Sequence, residues 1–191
     1  MSRTQIPVIT GGPCCGKTTL CNILAELGHK IVPEASRMII EEEQVKRADI
    51  RIVPWEKLYD FQHLVLQRQL DLESKVYDFA FADRGIIDNI GYCIAGDIAI
   101  PPRLYKAVHS HLREQRYPLM FHLDQIDQYH NDDVRKEDVE AGRRIHESIA
   151  EAYLIYGIPV VRIPVIPPKE RAELVLEHFE SYKKNIIANI G

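Results

Sequence analysis

The chain reads IPVITGGPCCGKTTL at residues 6–20, a short apolar run followed by a glycine-rich turn and the start of a helical pattern. The turn matches G-x-x-x-x-G-K-[ST], in which backbone N–H groups curl around phosphate oxygens. The match falls between a predicted strand and a predicted helix, which is the context this mechanism requires. The stretch therefore predicts a phosphate-binding loop within an α/β fold.

Each part of the loop has a predicted role toward a bound nucleotide. Lys17 would reach the β- and γ-phosphates of ATP or GTP, and the Thr18 hydroxyl would bind Mg²⁺. The N-terminus of the helix that begins near Lys17 adds a favourable dipole. The predicted nucleotide-binding residues are Gly11, Gly12, Pro13, Cys14, Cys15, Gly16, Lys17, Thr18 and Thr19.

Strand-like runs alternate with helical patterns along the rest of the chain. Strands are predicted at residues 6–10, 30–33, 78–83, 119–123 and 159–163. Helices are predicted at about 17–28, 35–44, 54–76, 86–95, 103–115, 139–156 and from 168 onward. This alternation predicts a three-layer α/β fold built on a mostly parallel five-stranded sheet.

Composition limits the functional class. The 191 residues carry 24 basic and 28 acidic side chains, a formal net charge of −4, which predicts no nucleic-acid partner. We expect one P-loop domain over residues 1–191 in a cytoplasmic protein, because no secretory leader or membrane-spanning run is evident. The four cysteines lack the spacing of a disulfide framework or zinc site and are expected to be reduced.

Cys14 and Cys15 leave two interpretations open. A thiolate would be stabilised near the N-terminus of a helix, so a redox-sensitive loop is one hypothesis. The favoured interpretation is that both side chains simply fill the loop.

Two acids follow predicted strands. Asp83 ends an apolar run and is predicted to bind Mg²⁺, although an aspartate here would also suit a helix N-cap. Glu34 follows the second strand and is the candidate general base for a substrate hydroxyl, with a first-turn helical acid as the alternative. Arg84 would contact phosphate or form a structural ion pair, and Arg37 would pair with Glu34 or a substrate phosphate.

A polar segment at about 124–144 follows the fourth strand and predicts a lid. Arg135 is the first candidate for stabilising the transferred phosphoryl group, whereas Arg143 and Arg144 are weaker candidates. Arg68 lies within an apolar stripe of the long helix, where its partner would be a substrate anion or, as the favoured interpretation, a structural acid.

With these residues placed, the chain resembles a family of small AAA-type P-loop ATPases and kinases. The family includes the nicotinamide riboside kinase domain of a bifunctional NAD-biosynthesis regulator. The matching pieces are GGPCCGKTTL, VPEASRMIIEE, FADRGIIDNIGY, NDDVRKED and IHESIAEAYLIYGIPVVRIP. The resemblance implies a nucleoside-kinase-like fold with strand order 2-3-1-4-5. By position it supports Lys17 and Thr18 for phosphate and Mg²⁺, Asp83 for metal, Glu34 near the acceptor and Arg135 in the lid.

The leading hypothesis is an ATP- or GTP-dependent kinase that phosphorylates a small hydroxyl-bearing acceptor, such as a nucleoside or ribose-like compound. Its catalytic residues would be Lys17, Glu34, Asp83 and Arg135, with Mg²⁺ held by Thr18 and Asp83. The rival is a nucleotide-switched NTPase or GTP-binding protein that regulates a partner or lipid surface. A third, weaker hypothesis is an NTPase subunit of a larger assembly.

Overall fold

The computed structural model describes residues 4–126 and 139–190, with side chains described as far as residue 184. The strands are β1 (Val8–Thr10), β2 (Ile31–Val32), β3 (Phe81–Asp83), β4 (Met120–Leu123) and β5 (Val160–Ile163). The helices are α1 (Lys17–Glu26), α2 (Ala35–Gln44), α3 (Leu58–Glu73), α4 (Ile86–Ala95), α5 (Pro102–Glu114), α6 (Val139–Ile155) and α7 (Pro168–Ile190).

The five strands form one parallel sheet in the order β2-β3-β1-β4-β5. The central strand β1 places Val8 opposite both Ala82 of β3 and Met120 of β4. Parallel neighbours need crossover connections, and the helices between the strands supply them. The three-layer α/β prediction and the strand order implied by the resemblance are both confirmed.

Successive residues of each strand bury into opposite faces of the sheet. One face joins side chains of the strands to α4, α5 and α6, and its largest contributors include Ile86, Ile90 and Tyr153. The other face packs Phe81 and Phe121 against α1 and α7. Strands buried on both faces read as continuous apolar runs, which explains why their sequences lack alternation.

The predicted long helix at 54–76 is shorter in the structure. Lys57 has a φ of −140° and a ψ of 60°, outside the helical region, so α3 begins at Leu58, and residues 54–56 form a separate turn. The turn is held because Glu56 N and Lys57 N both donate to Val53 O. The apolar stripe did not reveal this break, because turn and helix bury side chains against the same core.

α4 and α6 cross at very short range. A Cβ atom at Gly91 would lie 2.7 Å from the Ile149 Cα atom, so only glycine permits this approach. The contact fixes α6 against α4, directly beside the loops that leave the carboxyl edge of the sheet. In the described parts of the chain, no helix is long and apolar enough to cross a membrane.

Candidate functional site

Four connecting segments leave the carboxyl edge of the sheet and carry the polar residues of the site. Gly11 follows β1, Glu34 follows β2, Asp83 ends β3 and Asp124 follows β4. Carboxyl ends of parallel strands meet at one edge, where open α/β sheets bind ligands. The predicted loop, Glu34 and Asp83 are therefore brought to a single edge, and Lys17 lies at the start of α1 beside them.

The phosphate loop holds Lys17 in a folded-back position. The Lys17 side chain is buried, and its Nζ atom donates to Gly12 O at 2.7 Å and to Gly11 O at 3.4 Å. Both carbonyl oxygens present partial negative charge to the ammonium group, as phosphate oxygens would. The predicted phosphate-binding role of Lys17 remains a prediction, and the geometry is compatible with it.

Thr18 and Asp83 form the pair expected of a magnesium site. Thr18 Oγ1 donates to Asp83 Oδ2 at 3.3 Å, across 65 residues of sequence. A hydroxyl and a carboxylate are hard oxygen ligands, and Mg²⁺ commonly binds one or two protein oxygens together with phosphates and waters. Within the described segments, no group of three or more His, Cys, Asp or Glu side chains could hold a metal by itself. The pair therefore fits Mg²⁺ delivered with a nucleotide.

Arg84 connects the phosphate loop to Glu34. Its Nε donates to Glu34 Oε1 at 3.0 Å, while Nη1 donates to Gly11 O at 3.1 Å and to Asp88 Oδ1 at 3.0 Å. Burial lowers the pKa of Arg84, but Tyr92, Glu34 and Asp88 raise it well above its ordinary value. Of the two sequence interpretations, the structure shows the ion pair.

The backbone of Arg84 has a φ of +72°, which is uncommon for a side chain other than glycine. Such strain persists where surrounding contacts over-determine the conformation. Here the guanidinium is fixed by partners from the loops after β1 and β2 and from α4. One terminal nitrogen, Nη2, is buried and has no hydrogen-bond partner among the described residues.

The Asp88 carboxylate is buried and accepts several hydrogen bonds within the protein. It accepts them from Tyr153 OH at 2.7 Å, from Gly85 N at 3.1 Å, and from the Thr10 hydroxyl. Together with Arg84, these donors fix the first turn of α4. Asp88 and Glu34 are thus both counter-charges of Arg84, each at 3.0 Å.

Glu34 is buried and held from two further sides. Ser36 Oγ donates to Glu34 Oε1 at 2.8 Å, and Arg37 Nε lies 3.8 Å from Glu34 Oε2. The predicted pairing of Arg37 with Glu34 is thus present. On α3, Arg68 forms the predicted ion pair with an acid, donating to both carboxylate oxygens of Glu42 at 2.9 Å.

Of the three arginines predicted for the lid, two lie in the described part of the chain and one does not. Arg135 lies outside the described residues, and its role stays a prediction. Arg143 of α6 is exposed and forms an ion pair with Glu147 at 3.0 Å. Arg144 lines an open cavity instead.

Two adjoining cavities lie beside the Glu34–Arg84 pair. The inner one leaves about 40 Å³ of space. Its polar lining comprises Glu34, Ser36, Arg37, Gln62, Gln69, Arg84 and Asn89. The outer one has a volume of about 450 Å³ and is lined mainly by Trp55, Leu58, Tyr92, Arg144 and Ile145. Pro54 and Tyr92 border both cavities.

Sequence reasoning missed the aromatic walls of these cavities. Phe61 and Trp55 come from α3 and the turn before it, and Tyr92 comes from α4. Tyr92 also lies under the Arg84 guanidinium, with 5.3 Å from Cζ to the ring centroid. Helical spacing indicates which side chains face the protein interior, but it carries no signal for contact with a ligand.

Two histidine rings lie in contact beside the phosphate loop. The rings of His122 and His146 have centroids 4.0 Å apart and planes inclined by 36°. Burial is the main cause that lowers the pKa of each ring to about 4. Sequence analysis did not single out either residue.

The cysteines of the loop differ in exposure. Cys15 is buried, and its Sγ lies 3.2 Å from Gly12 O, which agrees with a loop-filling role. Cys14 is partly exposed. Elsewhere, burial raises the pKa of the Cys93 thiol to about 11 and raises that of Cys21 further. None of the four cysteines, all of which lie in the described part of the chain, forms a disulfide.

A parallel sheet of this order, with a G-x-x-x-x-G-K-T loop after its first strand and a threonine–aspartate pair beside it, defines a P-loop protein of the kinase-like three-layer type. A family model described as an AAA domain matches residues 7–171. The chain therefore belongs to this AAA domain family, which confirms the family resemblance found in its motifs. No curated protein matches the chain significantly.

Solved structures share the fold at low sequence identity. Thymidylate kinase from Candida albicans has a TM-score of 0.65 at 16% identity, covering 96% of this chain and 94% of that chain. Thymidylate kinase from Ehrlichia chaffeensis has a TM-score of 0.61 at 15% identity, covering 93% and 99%. The NadR protein in complex with NR has a TM-score of 0.66 at 18% identity; the match covers 94% of this chain but only 51% of NadR. Likeness at these identities establishes the fold alone.

Proposed function

We propose that the protein is a Mg²⁺-dependent phosphotransferase that moves the γ-phosphoryl group of ATP or GTP to a hydroxyl group of a nucleoside-sized acceptor. The observation that carries this proposal is the position of the Glu34–Arg84 pair, which lines the inner cavity while Arg84 also contacts the phosphate loop at Gly11. The nucleotide site and the site for the phosphoryl acceptor would thus share one arginine, Arg84.

The two cavities suit an acceptor with a polar end and a flat body. The inner cavity offers the Glu34 carboxylate and the unpartnered Arg84 Nη2 to hydroxyl or other oxygen groups. The outer cavity, at about 450 Å³ with Trp55 and Tyr92 on its walls, lies in the size range of small-molecule sites. Nucleosides and ribosides have this combination of a hydroxyl-rich sugar and an aromatic ring.

In the proposed mechanism, catalysis rests on positioning and charge. Lys17 would leave its carbonyl partners and bind the β- and γ-phosphates, while Thr18 and Asp83 would hold Mg²⁺. The metal ion would supply positive charge to the phosphate oxygens. Glu34 would accept the proton of the acceptor hydroxyl as that oxygen attacks the γ-phosphorus, the bond to the β–γ bridging oxygen breaks and the nucleoside diphosphate leaves. Arg84 would keep the Glu34 carboxylate in place. Arg135 is proposed to stabilise the transferred group.

The proposal is tested by incubating the protein with Mg-ATP or Mg-GTP and a set of nucleosides and ribosides that includes thymidine and nicotinamide riboside. Mass spectrometry would detect a phosphorylated acceptor. Glu34→Gln should then slow single-turnover transfer on the order of 10²-fold while Mg-nucleotide affinity persists. Asp83→Asn should weaken metal-dependent nucleotide binding as well.

Glu42→Gln is the matched control, because Glu42 is an exposed acid on α2 that pairs only with Arg68 among the described ion pairs. We expect transfer by this variant to match the wild type. Full transfer by Glu34→Gln would place the base elsewhere. Mg-nucleotide hydrolysis without transfer to any acceptor, unaffected by Glu34→Gln, would favour the switch hypothesis instead.

A further inference from the structure

His146 reaches the phosphate loop from a helix far along the chain. Gly12 N–H donates to His146 Nδ1 at 3.0 Å, although 134 residues separate the two. A Cβ atom at Gly12 would lie 2.9 Å from His146 Cβ and 3.0 Å from Gly142 O. Glycine at this position therefore allows α6 to touch the backbone of the loop.

The hydrogen bond requires a neutral imidazole. Nδ1 must offer its lone pair to Gly12 N–H, so the ring hydrogen lies on Nε2. His122 supports this arrangement, because its Nε2 donates to His146 O at 3.2 Å while the two rings lie in contact. Burial, the neighbouring His122 and the cations Lys17 and Arg162 lower the pKa of His146 to about 4, against an opposing effect of Asp124. The acceptor is therefore intact at neutral pH.

Gly12 links this contact to the catalytic lysine. Its N–H is held by His146, and its carbonyl oxygen accepts a hydrogen bond from Lys17 Nζ at 2.7 Å. A change in the orientation of Gly12 would move the carbonyl group that orients Lys17. The position of the lysine is thus tied to a side chain of α6.

The same helix contacts the acceptor side. Tyr153 lies two helical turns after His146 and donates to Asp88, which in turn binds Arg84. Because α6 touches both Gly12 and the counter-charge of Arg84, a displacement of α6 would disturb both halves of the site.

We propose that His146 is a positioning residue for nucleotide binding: its Nδ1 atom holds Gly12 and so fixes the phosphate loop and Lys17 relative to α6. The inference rests on the proposed nucleotide site. It goes beyond that proposal because it makes nucleotide affinity depend on one acceptor atom outside the phosphate-loop motif.

The test compares two replacements of His146 in the full-length protein. His146→Asn keeps an acceptor oxygen near the position of Nδ1, whereas His146→Leu fills the space without one. We expect His146→Leu to weaken Mg-AMP-PNP or Mg-GMP-PNP binding about tenfold, the equivalent of one lost buried hydrogen bond, and His146→Asn to bind within about threefold of the wild type. Isothermal titration calorimetry at pH 7.5 gives the affinities. His178→Leu, at an exposed histidine of α7, is the control and should bind normally.

A second measurement needs no variant. In the uniformly ¹⁵N-labelled wild-type protein, a scalar coupling across the hydrogen bond should join the Gly12 amide nitrogen to His146 Nδ1. Absence of this coupling, normal binding by His146→Leu, or equal weakening by both replacements would overturn the inference. Failure of the wild-type protein to bind either nucleotide analogue would instead contradict the proposed function.

Discussion

At the scale of single residues, the buried position of Lys17 determines what its removal should do. Lys17→Ala should abolish the rise in melting temperature that Mg-ATP or Mg-GTP gives the wild-type protein, because the β- and γ-phosphates lose their cation. Without nucleotide, the contacts that the variant loses include those to the Gly11 and Gly12 carbonyls and to Cys15, all three within the loop itself, so we expect its melting temperature to fall by no more than about 4 °C.

Thermal-shift measurements with and without Mg-nucleotide check this expectation. Lys30→Ala serves as the control, because Lys30 is an exposed lysine whose ion pair with Asp78 lies away from the phosphate loop. It should keep the full nucleotide-induced shift. A Lys17→Ala variant that is stabilised as strongly as the wild type would contradict the assignment of the loop.

Some residues of the candidate site could be predicted from the sequence, and others could not. Thr18 and Asp83 were predictable, because a motif places one and the end of an apolar strand places the other. The partner of Arg84 was not, since the guanidinium is shared by Glu34, Asp88 and Gly11, which lie 50, 4 and 73 residues away. The partners of Arg84 are determined by the packing of segments that are distant in sequence, and the pattern of neighbouring residues carries no information about that packing.

At the scale of elements, strand and helix types were predicted well, because apolar runs and helical spacing are both strong in this chain. Boundaries were less predictable. β1 begins at Val8 rather than residue 6, since Pro7 has no N–H to donate to a neighbouring strand. α5 begins at Pro102, a residue suited to a first helical position, and ends where Gln115 adopts a left-handed φ of +52°. The Gly91 crossing of α4 and α6 had no signal in the sequence.

The α4–α6 contact yields a prediction about Tyr153. Tyr153→Phe removes the hydroxyl that donates to Asp88 and leaves that buried carboxylate one donor short. We expect the free energy of unfolding to fall by about 1–2 kcal/mol, which urea denaturation would measure. Tyr156→Phe is the control, because Tyr156 of the segment after α6 is only partly buried and has no side-chain hydrogen bond among those described. Equal stability of both variants would show that the Tyr153–Asp88 bond contributes nothing.

At the scale of the whole molecule, buried polar groups join the helical layers to one another. Glu73 of α3 accepts hydrogen bonds from Gln69 at 2.9 Å and from Tyr117 OH at 2.5 Å, and its other oxygen meets His111 of α5 at 2.8 Å. The Tyr117 hydroxyl accepts from Ile86 N at the start of α4. Together with the Arg84 and His146 contacts, these bonds hold the loops and helices around the functional edge in a fixed arrangement.

The histidine pair makes the stability of the whole molecule depend on pH. His122 and His146 have folded-state pKa values lowered to about 4, from an ordinary value of 6.5, so the unfolded chain binds protons first as the pH falls. The two histidines therefore contribute fully to the free energy of unfolding above about pH 6.5, and this contribution is lost between that pH and about pH 4. For the buried His122, a shift of this size corresponds to about 3 kcal/mol, and the half-buried His146 adds less.

We therefore expect the free energy of unfolding to fall as the pH is lowered from 7 to 4.5, in urea titrations at half-unit intervals. Carboxylates also titrate in this range, so the decisive quantity is the difference between the wild type and the double variant His122→Gln/His146→Asn. Gln keeps a donor for His146 O, Asn keeps an acceptor for Gly12 N, and neither side chain titrates. The double variant should lose on the order of 2–3 kcal/mol less than the wild type across this interval, whereas His178→Gln, at an exposed site, should follow the wild-type curve. If the free energy of unfolding depends on pH identically in the wild type and the double variant, the two histidine rings are not held neutral in the folded protein.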